Sequence, residues 1–172
     1  MSNQVFDSSK FSDLSSANSD YSKTFKYSEL TGSAARGLAI VTCMDSRINP
    51  LSVVGMRSGD AKILRNAGAR VTEDVLRTLV LATYLLNVDR ILVMPHTDCR
   101  MAQSDESNIH ELIESKFGVD TSSLEFRVTK DQEAALKSDV SSIRNYTLIR
   151  EGVSVAGAIY DVKTGKIDFK NY

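Results

Sequence analysis

Apolar positions along the chain follow two rhythms. Short, nearly continuous apolar runs occur at 38–43 (LAIVTC), 61–65 (AKILR), 90–95 (RILVMP) and 124–128 (LEFRV), and each predicts a strand. The first and third are apolar at almost every position, as strands covered on both faces are, so the sheet is expected to be mostly parallel. Between the second and third runs, TEDVLRTLVLATYLLNVD changes period. Val75, Leu79, Ala82 and Leu86 form a stripe at helical spacing, Thr72 stands at the cap, and Glu73 and Asp74 occupy the first turn, where the helix dipole favours negative charge. A shorter helix is expected over Ile109 to Phe117. Another is expected over about 131–143, where Thr129 followed by Gln132 has the form of a capping box. The closing VSVAGAIYDVKTGKIDF reads as two strands joined through Thr164-Gly165.

The N-terminal twenty residues break both rhythms. They are rich in Ser, Asp and Asn, with Val5, Phe6, Phe11 and Leu14 widely spaced, and Tyr21, Phe25 and Tyr27 follow. Apolar side chains without a local partner predict an arm, residues 1–30, that packs on a neighbouring subunit. Residues 31–172 then form the α/β domain. The expected architecture is one α/β/α domain with a C-terminal hairpin, and in open parallel sheets sites lie beyond the carboxyl ends of the strands.

Composition narrows the function. At 172 residues, 42% hydrophobic and 25% charged, the chain can bury the core of one domain. With 21 basic and 22 acidic residues the net charge is -1, so no basic field holds a polyanion and nucleic acid is not an expected partner. No apolar stretch approaches the roughly 18–20 residues of a membrane span, and the N-terminus lacks the regions of a signal peptide. A soluble, cytoplasmic protein is expected. Two cysteines, Cys43 and Cys99, are too few for a disulfide framework; in a reducing cytosol they are buried, metal-bound or reactive.

Their positions sharpen that choice. Cys43 ends the first apolar strand and is followed by Asp45 and Arg47; His96 and Cys99 follow the third strand with two residues between them. Two thiolates and an imidazole around one point suit Zn2+, and three protein ligands leave the fourth tetrahedral position open, as in catalytic sites. Position alone leaves a second account standing, in which both cysteines are inert buried hydrophobes and His96 a hydrogen-bonded core residue.

Three motifs in order then carry a resemblance. CMDSR (43–47), RNAGA (65–69) and HTDC (96–99) resemble the β-class carbonic anhydrases of the short bacterial and archaeal type, and NSDYSKTF and VAGAIYDVKTGKI are similar to their ends. The resemblance implies a mostly parallel α/β/α fold with an N-terminal helical arm, one zinc per subunit on Cys43, His96 and Cys99, and a catalytic pair of Asp45 and Arg47. It also implies reversible hydration of CO2 to bicarbonate and a proton by a zinc-bound hydroxide, in a homodimer or a dimer of dimers. Asn66, Ala67 and Gly68 would lie beside the substrate pocket, although a turn needing small residues explains them equally well. One departure stands out: the family's usual glycine after the second cysteine is Arg100 here, either strained, close to the cleft as an anion contact, or pointing to solvent.

Charge then gives the pair a task. Zinc with two thiolates and a neutral imidazole is formally near neutral and activates water less than a three-histidine site, so a carboxylate held by a bidentate arginine is needed to orient the nucleophile. In the family Asp45 can instead fill the fourth position, closing the site. Asp98 is expected to cap the following helix, the other reading being an acceptor that orients a ligand, and His110 to lie on the surface, the other reading being a proton shuttle. The rivals are a zinc-containing binding or regulatory module without catalysis, a related hydrolase acting on carbonyl sulfide or carbon disulfide, and thiol redox chemistry, against which the absence of Cys-x-x-Cys speaks.

Overall fold

Strand β1 (Leu38–Cys43) is buried at every position and sits near the middle of the sheet. Helix α1 (Ser12–Lys23) precedes it. After β1 come α2 (Pro50–Val53), β2 (Ala61–Asn66), α3 (Glu73–Leu85), β3 (Arg90–Met94), α4 (Arg100–Gln103), α5 (Glu106–Phe117), α6 (Gln132–Arg144), β4 (Ser154–Tyr160) and β5 (Ile167–Lys170). The computed structural model describes residues 7–172. Val5 and Phe6 of the expected arm lie outside the described residues.

The sheet order is β2-β1-β3-β4-β5. The first four strands are parallel and β5 runs antiparallel to β4, which gives the expected mixed, mostly parallel sheet with a closing hairpin. Alternate side chains divide the core between the two faces. Ala39, Val41, Ile91, Val93 and Val155 pack with Val75, Leu79 and Ala82 of α3 and Leu136, Val140 and Ile143 of α6. Leu38, Ile40, Leu92, Met94 and Ala158 pack on the other face with Ile48, Val53 and the segment around Cys99 and Met101. Helix α3 carries the expected stripe, and the Thr72 side chain accepts from the Val75 amide at 3.4 Å. Among the described residues, no helix is long and apolar enough to cross a membrane.

The chain divides into two units, Met1–Thr31 and Gly32–Tyr172. In the first, α1 has no buried residue. Tyr21 packs edge-on against Phe25, and Phe25 against Tyr27, each pair with centroids 5.7 Å apart. Phe11, Leu14, Tyr21, Phe25, Tyr27 and Leu30 are all exposed.

Three expectations require correction. Residues 124–128 are irregular rather than a strand. Their alternation satisfies a strand pattern, but Arg127 takes the left-handed conformation (φ 61) and the amides of Phe126 and Val128 donate to the Glu106 carboxylate instead of to a sheet. Helix α6 is capped by Asp131, which accepts from the Ala134 amide at 2.9 Å, not by Thr129. Asp98 caps nothing: Cys99 holds the N-cap position of α4, without a side-chain bond.

Candidate metal centre

Parallel register brings the two motifs side by side. Thr42 pairs with Met94 across β1 and β3, so Cys43 leaves one strand tip beside the tip that leads through Pro95 into His96. The Thr42 hydroxyl donates to the Met94 carbonyl at 2.7 Å and fastens the two strands just below the site. The chain after β3 stays attached to β4, with the Tyr160 amide on the Pro95 carbonyl and the Thr97 amide on the Tyr160 carbonyl, both at 2.9 Å. Cys43, His96 and Cys99 are all buried, and their donor atoms lie within 4.8 Å of one another.

The imidazole is oriented for ligation. His96 Nδ1 lies 2.8 Å from the Thr97 carbonyl, which only accepts, so Nδ1 carries the proton and the Nε2 lone pair faces the sulfurs. Nε2 is buried without a hydrogen-bond partner among the described residues. Such an atom is costly to bury unless something bonds it. A metal ion removes that cost, and the two-sulfur, one-nitrogen donor set fits zinc.

Cys43 is held far below an ordinary thiol, chiefly by its hydrogen bond with Cys99, and the Gly68 amide adds a bond at 3.4 Å. Cys99 is raised well above an ordinary thiol, since a second negative charge beside Cys43 is opposed and burial adds to the cost. At His96 burial disfavours protonation, but Cys43 and the Thr97 carbonyl outweigh it and the value lies above that of an ordinary histidine. A divalent ion would displace these protons.

Beside the triad stands the acid–arginine pair. Arg47 donates to Asp45 three times: Nε to Oδ1 at 3.0 Å, Nη2 to Oδ2 at 2.8 Å, and its own amide to Oδ1 at 2.9 Å. These bonds hold the Asp45 carboxyl well below the usual carboxylate range. Asp45 Oδ2 lies 3.7 Å from His96 Nε2, which puts the carboxylate next to the place an ion would occupy. The other side of Arg47 is held by Asp98, through Nη1 to Oδ2 at 2.8 Å and Nη2 to the carbonyl at 3.1 Å, and Gln103 donates to Asp98 Oδ1 at 3.0 Å. Asp98 is therefore a tether for the pair, a contact across 51 residues that spacing does not reveal.

The RNAGA segment supports the same corner. Arg65 donates to the carbonyls of Cys43, Ile48 and Asp45 at 2.8, 3.3 and 2.6 Å, pinning the turn after β1; sequence reasoning gave it no role. Asn66 clasps Arg70 from both sides, accepting from its amide at 2.8 Å and donating to its carbonyl at 2.7 Å. The clasp closes a 3-10 turn over Ala67–Ala69 in which Gly68 has φ 79. Arg100 is exposed at the first position of α4, and the left-handed residue is Asp98 (φ 56), not Arg100, so the arginine carries no backbone strain. His110 is half-buried rather than on the open surface, bonded to Thr121 at 2.8 Å and packed on Phe126.

Comparison with known proteins agrees with this geometry. The family model described as carbonic anhydrase matches residues 38–167. The β-carbonic anhydrase 1 of Mycobacterium tuberculosis is 31% identical, over 88% of this chain and 91% of its own. The carbonic anhydrase of Streptococcus mutans, a crystal structure, superimposes with a TM-score of 0.87 at 36% identity, over 98% of this chain and 100% of that one. A carbon disulfide hydrolase of Acidianus is 30% identical, over 77% of this chain and 76% of its own. Strand order, buried donor triad and these likenesses agree, and the chain belongs to the β-class carbonic anhydrases.

Proposed function

We propose that the protein is a zinc lyase of the cytoplasm that interconverts CO2 and bicarbonate, with Cys43, His96 and Cys99 as ligands and Asp45 with Arg47 as the catalytic pair. The observation that carries this reading is the Nε2 of His96, which is buried, faces two cysteine sulfurs and has no hydrogen-bond partner among the described residues. Zinc bound there supplies Lewis acidity, which makes water nucleophilic near neutral pH.

The protein's own residues do the rest. Asp45 accepts a hydrogen bond from the nucleophile and aims its lone pair at CO2. Because Arg47 holds it ionised far below neutrality, Asp45 is too weak a base to carry the proton away, so its work is orientation. Asp45 is engaged by Arg47, which Asp98 holds from its other side, and this engagement supports a carboxylate kept for the nucleophile rather than a non-catalytic zinc module. Asn66, Ala67 and Gly68 form the neighbouring wall. Arg100 adds positive charge one residue from Cys99, toward bicarbonate.

The arm, residues 1–30, is proposed to pack on a second copy of the chain in a homodimer, since it exposes six large apolar side chains from Phe11 to Leu30. Stopped-flow CO2 hydration on zinc-loaded protein tests the activity, with carbon disulfide as the alternative substrate. Asp45→Asn should retain zinc and lose at least about tenfold in turnover. Unchanged turnover would remove Asp45 from the mechanism, and wild-type protein no faster than buffer would refute the hydratase.

A further inference from the structure

Asp139 is the one buried carboxylate residue among those described, and the mechanism above does not use it. It lies on α6 and takes Arg70 in a two-point grip, with Nε at 2.8 Å from Oδ2 and Nη2 at 3.3 Å from Oδ1, across 69 residues. Its side chain is 8% exposed and that of Arg70 is 21% exposed. Around it α6 is apolar, with Leu136 and Val140 in the core. Buried ion pairs are weak contributors to stability, because apolar residues of similar volume often do as well or better. The pair therefore calls for another explanation, and its position supplies one.

We infer that Arg70 and Asp139 are positioning residues for the metal ligands. Arg70 closes the clasp with Asn66, and within that clasp the Gly68 amide reaches the Cys43 sulfur at 3.4 Å. Asp139 fixes the direction of the Arg70 fork, a planar geometry that lysine lacks. The same helix and its lead-in reach the other two ligands. Gln132, the first residue of α6, donates to the His96 carbonyl at 2.8 Å, and the Thr129 amide donates to the Met101 carbonyl, two residues past Cys99, at 2.9 Å. Helix α6 and its lead-in together thus brace all three ligand-bearing tips, and the ion pair is the joint of the helix to the Cys43 corner.

This inference rests on the metal-site reading and is tested separately from it. The full chain is prepared as wild type, Arg70→Met/Asp139→Leu, Arg70→Lys and Arg150→Met. Arg150 ties the carbonyls of Thr83 and Val88, which belong to the end of α3 and the approach to β3 rather than to the site. Zinc affinity is measured by chelator competition, the sulfur-to-metal charge-transfer band on the cobalt-substituted protein, and melting on the metal-free protein. The double variant should melt within about 5 °C of wild type, bind zinc about 10–100-fold more weakly and show a changed cobalt band. Arg70→Lys should fall between the two, and Arg150→Met should lose stability with zinc affinity within about twofold of wild type.

The inference is overturned if the double variant keeps wild-type zinc affinity and cobalt band, or if Arg150→Met weakens zinc as much. Should the double variant not fold, wild-type affinity in Arg70→Lys overturns it instead. A wild type that binds no zinc refutes the metal site itself.

Discussion

Gly68→Ala is the substitution whose cost can be worked most directly from the structure. Gly68 has φ 79, in the left-handed region, and a Cβ there would stand 3.2 Å from Met101 Cβ and 3.5 Å from Met101 Cγ. Two terms follow. Holding an alanine in that conformation costs about 1–2 kcal/mol. Crowding Met101 adds about 1–3 kcal/mol, because its carbonyl is pinned by the Thr129 amide and the residue cannot simply step back. For a domain of this size, a total of about 2–5 kcal/mol lowers the melting temperature by roughly 4–20 °C. Gly55 supplies the control: it has φ 63 and nothing within 4 Å of a Cβ, so Gly55→Ala bears the conformational term alone. Its expected loss is about 2–8 °C. Both variants are melted in the metal-free state and then titrated with zinc. Gly68→Ala should also bind zinc more weakly, since any displacement that relieves the crowding draws its amide away from Cys43. Equal melting losses in the two variants, with equal zinc affinities, would refute the reasoning about the Gly68 corner.

Three further outcomes are expected. In the metal-free protein Cys43 is pushed below its ordinary value while Cys99 and His96 are pushed above theirs, so protons compete with the metal. Apparent zinc affinity should fall about tenfold per unit of pH decrease while one proton is displaced, and more steeply below the raised His96 value; chelator competition between pH 6 and 9 that gives a constant affinity would contradict this. Cys99→Ser should lose stoichiometric zinc and, with it, the stability that metal binding adds, read as a melting temperature that no longer rises with zinc. Deleting residues 1–30 should convert a dimer into a monomer by sedimentation, and a truncated chain that remains dimeric would show that the arm is not the contact.

Much of this arrangement was legible in the chain because its signals are local. β1 and β3 announce themselves by continuous apolar runs, α3 by its stripe and Thr72 cap, and the donor residues by standing at strand ends or within a few residues of them. What escaped is non-local. LEFRV has the alternation of a strand, but a carboxylate twenty residues away takes its amides, and no pattern within the segment reveals that competitor. Asp98 follows the rule for a helix cap in sequence and is claimed instead by Arg47. Arg65 and Asp139 look like any other charged residues until the fold brings them to backbone carbonyls and to Arg70. Gln132 fits a capping box and serves His96 instead. Short-range rules place the elements and the candidate metal ligands; the network that orients them exists only once distant strands have met.

X-ray absorption at the zinc edge of the loaded protein tests the central claim most directly. Two sulfur scatterers near 2.3 Å and one nitrogen near 2.0–2.1 Å, with a single light atom completing the shell, are expected for Cys43, Cys99 and His96 around one ion with one exchangeable position. A shell of nitrogen and oxygen alone, or four sulfurs, or protein that retains no zinc after dialysis against buffer, would contradict it.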